Sequence, residues 1–180
     1  EGGHELYNVG QIITLIGLAG TWLGILLISG LTISVTRWKA MARRDMLKRI
    51  ALYADINFAF FAIGISSSSA WIIKNMIGRA RPRFLDELGN WAFEPMAFLA
   101  RFASFPSGHS ATLGAMAMVL SLLVPRYRVV WAAIAVVGGF SRVVVQAHYL
   151  TDVIAGLAFG AGFARRVSAG ACASGRNRLR

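Results

Sequence analysis

An all-α, polytopic bundle of transmembrane helices is the fold this sequence predicts, and three observations carry that reading. The 180 residues are 56% hydrophobic with a mean hydropathy of +0.57, well above an average soluble domain. The stretches Gln11 to Trp38 and Ala51 to Ile73 are almost uncharged, with Arg37 late in the first and Asp55 early in the second. Each exceeds the roughly 20 apolar residues that span a bilayer. Three shorter apolar segments follow, Ser110 to Val124, Val129 to Ala147 and Tyr149 to Ala164, parted by Pro125-Arg126 and by the polar stretch around His148. Five spans are therefore expected.

The remaining elements can be taken in chain order. The opening EGGHELYN is polar and acidic, lacks an initiator Met and shows no cleavable signal peptide, so a processed or truncated start is expected. Ser66 to Ser69, four serines before Ala70, suit a close helix-packing surface better than chemistry. In EPMAFLARFASF, Glu94-Pro95 can start a helix, and Phe98, Leu99 and Phe102 recur at helical spacing. A short helix lying at the outer membrane surface is one expectation for this segment, and a loop packed over the bundle is the other. Neither an internal repeat nor a separate soluble domain is visible, so residues 1–180 read as one membrane-embedded domain. The lone Cys172 excludes an intrachain disulfide framework and a thiolate metal cluster.

Net charge is +11, and in so apolar a chain its natural partner is the membrane surface rather than a nucleic acid. Threading five helices back and forth sorts the 19 Lys and Arg residues into two sets. Thirteen of them, around Arg37 to Arg49, at Arg126 and Arg128, and from Arg165 to Arg180, fall on one side. The positive-inside rule makes that side the cytoplasm, with 165–180 a basic cytoplasmic tail. Lys74, Arg79, Arg81, Arg83, Arg101 and Arg142 fall on the opposite face, against the bias. Anion binding is the simplest reason for cations there, and His109, His148 and Asp152 land on the same face.

Three short segments meet on that outer face: KNMIGRARP (Lys74 to Pro82), PSGH (Pro106 to His109) and SRVVVQAHYLTD (Ser141 to Asp152). Lys74, Arg81 and Arg142 offer three cations, two with guanidinium forks suited to phosphoryl oxygens. Ser107 is a favoured N-cap, and Gly108 admits a ligand close to the backbone, so the amides opening the next helix would face an anion. His148 and Asp152 are four apart; on a helix they share a face, and the carboxylate can accept the Nδ1 proton and leave Nε2 as a nucleophile. His109 can then protonate the leaving oxygen and later activate water. Two imidazoles and a carboxylate are also a common metal-ligand set, but three nearby cations would repel a metal ion.

Lys74-x6-Arg81-Pro82, Pro106-Ser107-Gly108-His109 and Ser141-Arg142-x5-His148-x3-Asp152, in that order, resemble the three-part signature of the type 2 phosphatidic acid phosphatase superfamily. That family also includes bacterial acid phosphatases and vanadium haloperoxidases. The resemblance implies a six-span fold, one span more than is read here, the absent one preceding EGGHELYN. It further implies a reaction without metal or cofactor through a phosphohistidine, with His148 as nucleophile, Asp152 orienting it and His109 as acid and base. Lys74, Arg81, Ser107, Gly108 and Arg142 would bind the phosphate and its five-coordinate transition state.

A lipid phosphate or diphosphate is thus the expected substrate, cleaved at the periplasmic face of a bacterial inner membrane. Undecaprenyl diphosphate, phosphatidylglycerol phosphate, phosphatidate and lipid A are the candidates, with a lean to polyprenyl or glycerolipid phosphates. Arg79, Arg83 and Arg101 would suit a second phosphate or pair with Asp86, Glu87 and Glu94. Phe98 and Phe102 would border the lipid's entry. A small transporter or proton-coupled carrier is the rival class, but a carrier needs its ionisable groups at mid-membrane and here they cluster at helix ends. A soluble haloperoxidase-like role is disfavoured by the apolar spans.

Overall fold

The computed structural model describes residues 2–35, 41–89 and 91–178. Among them, apart from one isolated antiparallel bridge between Arg79 and Phe93, the secondary structure is helical: α1 (Gly2–Thr14), α2 (Ala19–Ser34), α3 (Arg43–Ile77), a short α4 (Leu85–Leu88), α5 (Gly108–Leu123), α6 (Arg128–Val144) and α7 (Leu150–Arg178). Single 3-10 turns lie at Leu15–Gly17, Pro82–Phe84, Ala100–Phe102 and Pro125–Tyr127.

Among the described residues, three segments are long and apolar enough to cross a membrane: Asn8–Ser34, Arg43–Ile77 and Pro125–Val144. The 16 residues of α5 rise only about 24 Å at 1.5 Å each, short of a hydrocarbon core. α7 is apolar from Leu150 to Ala164 and continues as helix through Arg165 and Arg166, where a tail was expected.

The first expected span is not one helix. α1 ends at Thr14, the 3-10 turn follows, and Leu18 is extended (ψ 109°) before α2 begins. Hydropathy cannot register such a break, because Leu15, Ile16 and Leu18 are themselves apolar. Trp38, its expected end, lies outside the described residues.

α5 is the centre of the bundle, packed most extensively on α7 and also on α6 and α3, while α2 lies along α3 and α1 along α6. The buried cluster is built largely from small residues, Ala59, Ala62, Ala115 and Ala164 with Ile63 and Val119. Large apolar residues such as Phe61, Trp71, Val136 and Phe140 face outward. This inverts a soluble core: lipid tails solvate large side chains as well as a protein interior does, so helices associate where small residues permit close backbone approach. The serine run belongs to that surface, since Ser66 Oγ donates to the Ala111 carbonyl at 3.4 Å and Ser67 shares a 3.0 Å bond with Thr112.

Of the two expectations for residues 94–102, the loop packed over the bundle is the one found. Met96 and Phe98 take positive φ (62° and 53°), which an α-helix does not admit, and only Ala100–Phe102 closes a 3-10 turn. The segment's amides are bonded elsewhere: Met96 N–H donates to the Asn75 carbonyl and Glu94 N–H to the Gly78 carbonyl, both at 2.8 Å. Those acceptors sit at the C-terminal end of α3, where helix carbonyls have no intrahelical partner.

Candidate active site at one end of the bundle

Four helix ends converge. α3 brings Lys74 in its last turn, α5 opens with Gly108 and His109, α6 ends just after Arg142, and α7 carries Asp152 in its first turn. The loop after α3 supplies Arg79 and Arg81 and is stitched across the site, with Arg81 N–H on the Arg101 carbonyl (2.9 Å) and Ser104 N–H on the Arg79 carbonyl (3.0 Å). Ser107 N–H donates to the Asp152 carbonyl (3.0 Å), which fastens the start of α5 to the start of α7.

Ser107 caps α5 as its residue type predicts, its hydroxyl accepting from Ser110 N–H at 3.4 Å. The first amides of a helix have no intrahelical acceptor and lie at the positive end of its dipole. At α5 those amides belong to Gly108 and His109. A Cβ placed on Gly108 would stand 4.0 Å from Lys74 Nζ, so the ammonium lies over the helix start. Lys74, Arg81, Arg142 and His148 are all within electrostatic reach of His109. The residues proposed from sequence for phosphate binding are therefore gathered around one point.

Arg81 shows what it costs to assemble cations here. Burial, then Arg83, pull its pKa below the usual arginine value, while Asp152 raises it. Its Nη2 makes a long 3.5 Å bond to the Ala103 carbonyl, and among the described residues its buried Nε has no protein acceptor. A buried guanidinium N–H without an acceptor is costly, and a bound anion would remove that cost.

The His148–Asp152 pair departs from expectation. His148 lies in the linker before α7, so the two do not share a helix face. Its Nδ1 is 2.8 Å from the Ser104 carbonyl, whereas Asp152 Oδ2 is 3.9 Å from it, beyond hydrogen-bond reach. The carboxylate is occupied instead by the Ser104 hydroxyl (2.6 Å), Tyr149 N–H (3.0 Å) and Arg79 Nη1 (2.6 Å). Asp152 thus acts on the imidazole through charge and by fixing Ser104, whose carbonyl holds the ring. Burial, above all, lowers the pKa of His148; Arg81 and Arg142 add to this and Asp152 opposes it. The neutral imidazole is favoured in consequence.

Sequence reasoning missed Ser104 and did not foresee the partner of Arg79. Arg79 does not pair with Asp86, Glu87 or Glu94; besides Asp152 it donates to Thr151 Oγ1 (2.9 Å) and lies 4.1 Å over the Tyr149 ring. Arg83 and Arg101 lie over the rings of Phe84 and Phe102, each at 5.1 Å. Phe102, expected beside Phe98 at the lipid's entry, is buried.

Fold and site together define a helical membrane protein with a cationic, histidine-bearing cluster where its helix ends meet. The chain belongs to the PAP2 superfamily, whose sequence profile matches residues 55–171. Over 106 residues it is 49% identical to a lipid A 1-phosphatase of Rhizobium johnstonii and 48% identical to one of Rhizobium etli. Those alignments cover 59% of this chain but only 43% and 46% of the relatives, so the chain spans less than half of their length. A solved transmembrane PAP2-type phosphatidylglycerolphosphate phosphatase from Bacillus subtilis shares the fold with a TM-score of 0.62 at 23% identity, over 92% of this chain and 76% of that one.

Proposed function

We propose that this chain is a lipid phosphatase that releases phosphate from a membrane lipid through a phosphohistidine, without metal or cofactor, at the periplasmic face of a bacterial inner membrane. One observation carries the reading: Nδ1 of His148 faces the Ser104 carbonyl at 2.8 Å. A carbonyl only accepts, so the proton resides on Nδ1 and the lone pair on Nε2.

Nε2 attacks phosphorus and the P–O bond to the lipid breaks, while His109 gives its proton to the departing oxygen. His109 then takes a proton from water, the resulting hydroxide attacks phosphorus, and the P–N bond breaks to free phosphate and restore His148. Lys74, Arg81, Arg142 and the amides opening α5 balance charge on the equatorial oxygens in both steps. Likeness to the two lipid A 1-phosphatases favours a phosphate on lipid A over undecaprenyl diphosphate, phosphatidylglycerol phosphate and phosphatidate.

The test is phosphate release by the purified chain in proteoliposomes from each of those four lipids. Release blocked by vanadate, unaffected by a chelator and abolished in His148→Ala is expected. Full activity in His148→Ala would overturn the mechanism.

A further inference from the structure

Every motif residue follows the N-terminal membrane segment, an order that would let this segment stand apart from the chemistry. It does not. Its helix breaks at the site: α1 ends on Thr14, the turn Leu15–Gly17 follows, and α5 and α6 both pack against that turn. Thr14 is 8% exposed, and its Oγ1 accepts a 2.8 Å bond from Nη1 of Arg142, which is itself 8% exposed. The same Oγ1 lies 3.4 Å from Ser141 Oγ, whose own proton goes to the Gly138 carbonyl at 2.7 Å. Thr14 is therefore the donor to Ser141, and the chain Arg142, Thr14, Ser141, Gly138 is satisfied in one direction.

Three residues on, a Cβ added to Gly17 would fall 3.0 Å from Cβ and 3.1 Å from Cδ2 of His109. The backbone of the break is thus a wall against which the imidazole rests, and a side chain there would press the ring aside by a few tenths of an ångström. Both residues precede the 55–171 segment that the family profile matches.

We infer that Thr14 and Gly17 are positioning residues of the active site, Thr14 fixing the Arg142 guanidinium toward phosphate and Gly17 setting the His109 ring toward the leaving group. This rests on the reading of Arg142 as a phosphate ligand and His109 as general acid. A break at this point brings a hydroxyl and a bare backbone to the site, which a continuous helix of large apolar residues would not do. The two contacts make separable predictions, because one concerns anion binding and the other proton transfer.

The experiment uses the full chain in detergent with His148→Ala as reference. Thr14→Val removes the hydroxyl and keeps the shape; vanadate inhibition and KM are expected to weaken about 10- to 100-fold, the range for losing a hydrogen bond to a buried charged group. Thr14→Ser should restore them and keep the parent's thermal stability, whereas Thr14→Val, which removes an acceptor from a buried Arg142 N–H, should also melt lower. Gly17→Ala should slow hydrolysis of a lipid alkyl phosphate about 10-fold or more, a partial loss of the about 100- to 10,000-fold that general acid catalysis contributes. It should leave p-nitrophenyl phosphate much less affected, because that leaving group departs without a proton. If Thr14→Val binds vanadate like the parent, if Thr14→Ser is as weak as Thr14→Val, or if Gly17→Ala slows both esters equally, the inference is overturned for that residue. Should Thr14→Val not fold, the Gly17→Ala ester comparison and the Thr14→Ser vanadate constant, expected near the parent's, decide instead. A fully active His148→Ala would fell the underlying reading, whereas an inactive one beside a normal Thr14→Val would fell this inference alone.

Discussion

Arg79 and Asp152 form a 2.6 Å ion pair in which the carboxylate is fully buried and the guanidinium side chain is 22% exposed. Removing one partner of a buried pair strands the other's charge, at a cost of about 3–5 kcal/mol. Arg79→Ala should therefore destabilise the protein by about 3 kcal/mol, the lower end because solvent reaches Arg79. Adding Asp152→Asn to that variant removes the stranded charge, so the double variant should melt above Arg79→Ala alone. Thermal denaturation in detergent reads both, and additive losses would show that the pair is not coupled.

The lowered pKa of His148 fixes a pH dependence. As the proposed nucleophile, His148 must be neutral, so the proposed phosphoenzyme formation should persist below the ordinary histidine value of about 6.5 and be lost as pH falls through the lowered pKa. Arg81 is one of the cations that lower it. In Arg81→Ala the protonated form is disfavoured less, the pKa rises, and the residual activity should fall away at higher pH. Asp152→Asn removes the opposing carboxylate and should move the limb the other way. Single-turnover rates from about pH 5 to about pH 8 measure this; a limb at or above the ordinary value, or one unmoved in Arg81→Ala, contradicts it.

Local chemistry was legible in the sequence, and partners distant in the chain were not. Ser107 caps α5 because a hydroxyl before a helix start does so wherever the helix stands. The three charged segments converge because alternating helices put their ends together. The partner of Arg79, by contrast, lies 73 residues away while Asp86, Glu87 and Glu94 are nearer in sequence. Ser104 was invisible for another reason: the group that holds His148 is its backbone carbonyl, which any residue could provide. Thr14 and the break after it sit inside an apolar run, where hydropathy averages over a backbone that leaves the helix.

Close approach of α5 and α7 is what registers His109 against His148 and Asp152, and glycines make it possible. A Cβ on Gly160 would fall on the Ala111 carbonyl oxygen, and one on Gly114 on the Leu157 carbonyl oxygen. These neighbours are helix backbone and cannot yield as a flexible side chain would. Gly160→Ala should destabilise by about 1–3 kcal/mol, the usual range for overpacking, and should lower activity by displacing α7 from α5. Gly162, which has nothing within 4 Å of its added Cβ, provides the control: Gly162→Ala should melt and turn over like the parent. Equal stability of the two variants would remove helix proximity as the cause.

The outward aromatic pair beside the site makes the last prediction. Phe98 is 59% exposed and Trp71 54% exposed, with ring centroids 6.4 Å apart. Trp71 stands one turn before Lys74 on α3, so the pair flanks the cations on the outer surface of the bundle. A lipid whose phosphate reaches Lys74 would lay its chain across these rings. Burying a phenylalanine against an apolar chain contributes about 1.5–3 kcal/mol, so Phe98→Ala should raise KM for a long-chain lipid phosphate about 10-fold. A short soluble ester should be hydrolysed as before. Phe102 is 6% exposed, and truncating a buried phenylalanine costs about 3–5 kcal/mol. Phe102→Ala should therefore lower stability and harm both substrates alike. Steady-state kinetics on the two substrates separates these effects, and equal losses in Phe98→Ala would dismiss the ring pair as a path for the lipid.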